Sequence, residues 1–194
     1  MTTREKILDA VLKNQPATTA LPDISSFKGT GNDLVQNYAA VFRSIGGSCF
    51  LADNLEDVFA RVRAEFDNTK RIVTTLPGPG HRFELIQDNV DPHTYDDIEL
   101  AIISAHFAVA ENGAVWVSEE VMGQRIIPYI CQHLAVIVQA QHIVPTLHEA
   151  YERIGTGDYG FGGFIGGPSK TADIEQALVL GAHGPLTMTV FIIQ

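Results

Sequence analysis

Residues 166–175, GGPSKTADIE, gather two glycines, a proline, a lysine, two hydroxyls and two carboxylates. Gly166 and Gly167 let the backbone approach a ligand closely, and Pro168 stiffens the turn before Ser169 or Thr171, either of which can cap a following helix. Free amides at that helix start, its partial positive charge and the Lys170 ammonium together suit a phosphate or a carboxylate. An ordinary loop that starts a helix has the same composition, so the segment alone leaves both readings open. Its spacing is neither the GxxxxGK(S/T) of a nucleoside-triphosphate loop nor the GxGxxG of a dinucleotide site. Asp173 stabilises the first helical turn through the macrodipole, a sufficient structural reason for it, and Glu175 can do the same.

Two further residues have the chemistry of proton transfer. His183 lies between glycines in GAHGP, accessible and able to titrate near neutrality as a general acid or base, or else able to lock the turn through a backbone carbonyl. Glu111 ends an apolar run at a turn, where its carboxylate either projects into a crevice at the end of a sheet or faces water. The seven histidines form no metal set; His142 and His148 are six apart, unlike the i, i+4 pair of a helical zinc site, and no metal is assigned. Cys49 and Cys131, each flanked by apolar residues, read as buried thiols and cannot supply the four thiolates of a usual iron–sulfur cluster.

The elements that position these residues follow from apolar periodicity. A chain of 194 residues with 45% hydrophobic and 19% charged residues can bury one sizeable core. Thr2 and Glu5 fit a capping box for a helix over 3–14, followed by a polar tether to residue 31 that packs on another chain or lies mobile on the surface. Two units are expected: residues 1–31 as helix and tether, and 32–194 as an α/β domain. Asn32 is the N-cap candidate of a helix stopped by Gly46-Gly47. A strand over 48–51, a helix capped by Asp53 or Asn54 and a strand over 71–75 come next. Lys70-Arg71, the one adjacent basic pair, reads as a strand edge facing solvent. Residues 76–97 are an excursion, a lid or a plain loop. The apolar run to Ser118 contains a hairpin, 107–110 and 114–118, around Glu111-Asn112-Gly113. A short helix over 124–130, a buried strand over 133–138, a helix over 146–154, a helix over 171–180 and a strand over 186–193 complete the chain. Strands alternating with helices mean a layered α/β domain.

Thirteen basic against 23 acidic residues give a formal charge of −10, which repels nucleic-acid phosphates and anionic membranes. The charged N-terminus resembles no signal peptide and no apolar run is long enough for a membrane span, so a cytoplasmic protein is expected.

Two segments together carry a family resemblance. FAVAENGAVWVS resembles the turn segment of the LUD domain family, and GGPSKTADIEQALVLGAHGP is similar to the C-terminal signature of its lactate utilisation protein C group. Arg125-Ile-Ile-Pro128 and residues 133–138 resemble it too, so the likeness covers roughly residues 32–194. It implies a three-layer α/β/α fold with a mostly parallel or mixed sheet, of the ribose-5-phosphate isomerase and CoA-transferase kind (NagB/RpiA/CoA transferase-like). It also implies a part in oxidising L-lactate to pyruvate with iron–sulfur partner proteins, this chain binding no cofactor itself. The chain departs from the family pattern at Ile103, Ser104, His106, Asn112 and Ala114, and Lys170 replaces an arginine, keeping the charge without the planar fork.

The reading carried forward is a lactate-utilisation subunit that holds a small anion against Gly166, Gly167, Ser169, Lys170, Thr171 and Asp173, with Glu111 or His183 as base. A non-catalytic assembly subunit, homo-oligomeric through its N-terminal helix, is one alternative. An isomerase or acyl-CoA transferase using Glu111 is another.

Overall fold

The apolar runs of the sequence become neighbouring strands in the computed structural model, which describes residues 2–29, 33–67, 69–78, 83–87, 89–171 and 179–194. In chain order the elements are α1 (Thr3–Lys13), α2 (Leu34–Ser44), β1 (Ser48–Ala52), α3 (Leu55–Glu65), β2 (Ile72–Thr74), β3 (Glu84–Leu85), β4 (Leu100–Ser104), β5 (Phe107–Val109), β6 (Val115–Ser118), α4 (Glu119–Met122), α5 (Ile127–Ile130), β7 (His133–Gln139), β8 (Ile143–Val144), α6 (Leu147–Ile154), β9 (Gly162–Ile165), β10 (Lys170–Thr171), β11 (Val179–Leu180) and β12 (Thr187–Ile193).

The large sheet has six strands in the order β1-β12-β7-β4-β2-β3, and every neighbouring pair is parallel. Parallel strands need crossovers that cover both faces, which is why β4 and β7 are apolar without interruption. Alternate residues then divide between two cores. Leu100, Ile102, Ala135, Ile137 and Phe191 meet Val58, Phe59 and Val62 of α3. Ala101, Ile103, Leu134, Val136, Val190 and Ile192 meet Tyr38 and Phe42 of α2, Met122 of α4 and Ile127 of α5. Helices on both sides of a parallel sheet make the three-layer α/β fold that the sequence predicts.

A second sheet, β8-β5-β6-β9, lies over the α2 side. The run from Leu100 to Ser118 is therefore more than a hairpin: its first five residues are β4 of the large sheet. The change of sheet takes one step. Ala105 N–H donates to Ile137 O in the large sheet (2.8 Å), and His106 N–H to Trp116 O in the small one (3.0 Å). At the hairpin's far end only Gly113 has a positive φ, 72°, while the Asn112 side chain accepts from Ala114 N–H at 3.0 Å. Asn112 thus acts through its amide rather than through a left-handed backbone.

Other expectations are corrected. The N-cap of α2 is Asp33, which accepts from Gln36 N–H at 3.1 Å, in place of Asn32, which lies outside the described residues. The excursion over 76–97 adds β3 as the sheet's edge, so β2 is interior. The helix expected over 124–130 is confined to α5, with α4 before it. Lys170–Thr171 and Val179–Leu180 are extended and pair antiparallel, so the helix expected over 171–180 does not form at either end. Residues 172–178 between them lie outside the described residues.

Arg71 is not a solvent-facing edge cation. Its guanidinium joins Glu84 of β3 at 2.7 Å and Asp97 at 2.5 Å, donates to Thr94 O and sits 5.1 Å from the Tyr95 ring centroid. Hydrogen bonds from Arg71 hold the Glu84 and Asp97 carboxyls below their usual range. A depressed carboxyl contributes stability above its unfolded value, about 4, and loses it as pH falls through the folded value. Arg71→Gln should therefore be less stable than the wild type at pH 7, and urea titrations should show the gap narrowing below about pH 4.

The N-terminal arm behaves differently from the domain. α1 has its capping box, but none of its residues is buried, and Ile7, Leu8, Val11 and Leu12 are exposed. The end of the tether packs on this chain: Phe27 stacks on His148 of α6 at 5.2 Å, and Gly29 N–H donates to Glu149 at 3.3 Å. Among the described residues no helix is long and apolar enough to cross a membrane.

Candidate functional site

The two sequence motifs meet at the C-terminus of α2. Gly113 and Gly167, both with positive φ, pack against Ile45, and a side chain at either would press on α2. Gly166 approaches Ala114 and Ile45. The Lys170 ammonium donates to the Ile45 carbonyl, one of the orphan acceptors at the helix end, where a cation also complements the macrodipole. Ser169 N–H donates to Pro185 O (2.9 Å) and Gly181 N–H to Ser169 O (3.1 Å), so GGPSK and GAHGP are stitched together. Because Gly46-Gly47 leads into β1 and Pro185 into β12, this cluster sits at the amino ends of the parallel strands. Ligands of open α/β sheets bind outside the carboxyl ends.

The remaining expected residues are also in structural use or apart from it. Glu111 Oε2 accepts from Leu147 N–H at 2.7 Å and so caps α6 beside Thr146, which caps it through Glu149 N–H. His183 is exposed, with no hydrogen bond to a described residue and none to Glu111. Thr171 is in the β10–β11 ladder, and Asp173 lies outside the described residues. Glu111→Ala should cost about 0.5–2 kcal/mol, as loss of a helix cap does, and Glu111→Gln, which keeps an acceptor oxygen, should recover most of it in urea denaturation.

A different constellation occupies the carboxyl ends of β4 and β7. His106 follows β4 and His142 follows β7, and both line a cavity of about 440 Å³ together with Ser118, Trp116 and, from α6, Arg153. His106 Nε2 is 2.7 Å from Ser118 Oγ, and Ser118 is only 5% exposed. His106 is held just before β5, where Phe107 pairs with Trp116, and Ser118 ends β6, where it pairs with Gly162 of β9. The aromatic wall is tightly set: Trp116 lies 4.8 Å from Phe164 and 5.6 Å from Tyr159, between ring centroids. A side chain at Gly162 would reach within 2.7 Å of the indole. The Arg153 guanidinium rests 5.1 Å from the Phe107 ring centroid, a cation–π contact that directs it along the wall. Gly160 N–H donates to Glu119 at 3.0 Å, which ties the loop after α6 to α4 at the rim. Glu120 and Asp158 add carboxylates, and Glu120 also borders a larger neighbouring cavity of about 950 Å³.

Among the described residues no three His, Cys, Asp or Glu side chains converge on a metal position. Both thiols are buried, as expected, and burial pushes Cys49 up to about 11 and Cys131 up to about 12, which leaves them protonated and poor nucleophiles at neutral pH.

Sequence reading did not assemble this cavity because its residues are scattered from 106 to 153 and are brought together by strand pairing and by the packing of α6. The one available signal was His106, singled out as a departure from the family pattern. The other departures also gain reasons: Ile103 is fully buried core, Ser104 ends β4, Asn112 caps the turn, and Ala114 is 5% exposed under the Gly166 backbone.

The LUD domain profile matches residues 93–193, which include β4 to β12 and every residue of the cavity named above. Lactate utilization protein C of Bacillus pumilus is 27% identical over 116 residues, 54% of this chain and 48% of that protein. The Geobacillus sp. protein of the same name is 28% identical over 130 residues, 58% and 54% of the two chains. Lactate utilization protein C 1 of Bacillus mycoides is 31% identical over 101 residues, 49% and 43%. The chain spans about half the length of these curated relatives. A crystal structure of a DUF162 family protein from Deinococcus radiodurans has the same fold, with a TM-score of 0.63 at 16% identity over 84% of this chain and 97% of that one. The chain belongs to the LUD domain family.

Proposed function

We propose that this chain takes part in lactate utilisation by holding a small carboxylate, a 2-hydroxy or 2-oxo acid, in the cavity at the carboxyl ends of β4 and β7. The observation that supports this most is the cavity's lining. In a chain of formal charge −10, it groups Arg153 and His142 with the His106–Ser118 pair. Glu120 and Asp158 in the same lining oppose an anion, so Arg153 is the group that must hold it, and a guanidinium offers a carboxylate two parallel hydrogen bonds. His106 and Ser118 then face the 2-oxygen of the acid. The names of the curated relatives agree with this reading. Electrons leaving a 2-hydroxy acid would pass to iron–sulfur partner proteins, since neither buried thiol of this chain suits a cluster. Isothermal titration with lactate and pyruvate tests it. One of the acids should bind, and Arg153→Gln should weaken it about tenfold, the loss of one charge-assisted contact. Heat from neither acid, or an unchanged affinity in Arg153→Gln, would overturn the reading.

A second reading rests on α1, whose exposed Ile7, Leu8, Val11 and Leu12 form an apolar stripe with no buried residue on this chain. In it the arm docks the domain onto a partner or a second copy. Deleting residues 1–30 should abolish association on a sizing column while leaving the far-ultraviolet spectrum of the domain intact.

A further inference from the structure

The contact between His106 and Ser118 carries a consequence beyond ligand binding. Ser118 stands at the N-cap position of α4, where a serine ordinarily accepts from an amide two or three residues on, and here it makes no such bond. Its hydroxyl is turned instead to His106 Nε2 at 2.7 Å, within the cavity. With the imidazole neutral and its proton on Nδ1, Nε2 accepts from Oγ, the orientation in which a base activates a serine. The backbone holds the pair in place: His106 N–H donates to Trp116 O at 3.0 Å, and Ser118 pairs with Gly162 of β9.

We propose that Ser118 is a nucleophile activated by His106, and that the cavity transfers the acyl group of a short ester or thioester to water. Oγ attacks the carbonyl carbon, its proton passes to His106 Nε2, and that proton leaves on the departing alcohol or thiol as the acyl–oxygen or acyl–sulfur bond breaks. Water then attacks the acyl-serine, giving one proton to His106 and returning Ser118 to its hydroxyl form. Ester and water become acid and alcohol, and no redox change occurs. His142 and Arg153 on the wall supply donors for the developing oxyanion or for a carboxylate within the acyl group. About 440 Å³ between Phe107, Trp116 and α6 suits an acyl chain of a few carbons. The proposal shares the cavity with the carboxylate reading but does not depend on which acid binds there.

The probes are a fluorophosphonate, followed by intact mass and peptide mapping, and p-nitrophenyl acetate, followed by release of nitrophenolate. The full chain should gain one adduct at Ser118 and hydrolyse the ester. Ser118→Ala should lose the adduct. His106→Gln, which leaves the serine in place, should label and turn over about 100-fold or more slowly, the usual contribution of a general base. Its melting curve, unchanged from wild type, separates this loss from unfolding if Ser118→Ala proves unstable. No adduct on the folded wild type, an adduct that persists in Ser118→Ala, or equal labelling in His106→Gln would each overturn the proposal. Labelling of a wild type that binds neither lactate nor pyruvate supports the nucleophile and removes the carboxylate reading. Acid binding without labelling does the reverse.

Discussion

Phe42→Ala should lower stability by about 3–5 kcal/mol, the largest loss expected from any single substitution named here. Phe42 is fully buried, stacks on Tyr38 at 5.6 Å with the rings 13° apart, and joins α2 to the α2-side core of the large sheet. Truncating it removes a ring that the surrounding strands cannot collapse to replace, so a cavity term adds to the transfer term. The site of the damage matters as much as its size. Gly113, Gly167 and Lys170 all rest on Ile45, three residues further along, so the sequence motifs lose their common support. In urea the midpoint should fall with the slope unchanged, as expected when the folded state alone is affected. A loss below about 1 kcal/mol, within the range of an unremarkable substitution, would contradict the packing described for α2.

Gly47→Ala should be the next most damaging, for the opposite reason. A Cβ at residue 47 would lie 2.2 Å from Cε1 of Phe42, with Cζ at 2.5 Å and Cδ1 at 2.6 Å. The buried ring has nowhere to go, and overpacking of this kind costs about 1–3 kcal/mol. The two effects are coupled, because the alanine methyl would enter space that Phe42→Ala vacates. A double-mutant cycle should show the double variant more stable than the sum of the single losses predicts, by about 0.5–3 kcal/mol. Simple additivity would mean that the two residues do not share this contact.

Most of the large sheet could be read from sequence because its strands are unbroken apolar runs, and α2, α3 and α6 because they carry apolar stripes, with Asn54 and Thr146 capping the last two and the cap of α2 falling at Asp33, one residue after the Asn32 expected. Reading failed where one apolar run served two sheets. Nothing in Ile103-Ser104-Ala105-His106 marks the step from β4 into the small sheet, since both sides of it are buried. It failed again at Lys170–Thr171, where glycines, a proline and hydroxyls that suit a helix start enter a β-ladder with Val179–Leu180 instead. That segment lies at the amino ends of the parallel strands, whereas the cavity beside His106 and Ser118 lies at their carboxyl ends. Lys170 and Glu111 have the chemistry of ligand contacts, but each is used to satisfy a helix terminus, the lysine at the end of α2 and the glutamate at the start of α6. Sequence shows what a side chain is able to do; the strand pairing and the packing of α6 bring His106, Ser118, His142 and Arg153 to one cavity.

The place of β12 between β1 and β7 has a consequence for how the chain is made. Among the described strands β1 pairs with β12 alone, about 140 residues later, and at synthesis rates of roughly 5–20 residues per second it waits on the order of ten seconds for that partner to leave the ribosome. Until then the β1 edge that β12 will cover stands open, joined by that of β7 once it is made, and contacts of such long sequence separation are slow to close. The nascent chain is thus exposed to strand-on-strand aggregation from the emergence of β1 until β12 follows, and keeping β1 unpaired until then is the step at which a chaperone would change the yield.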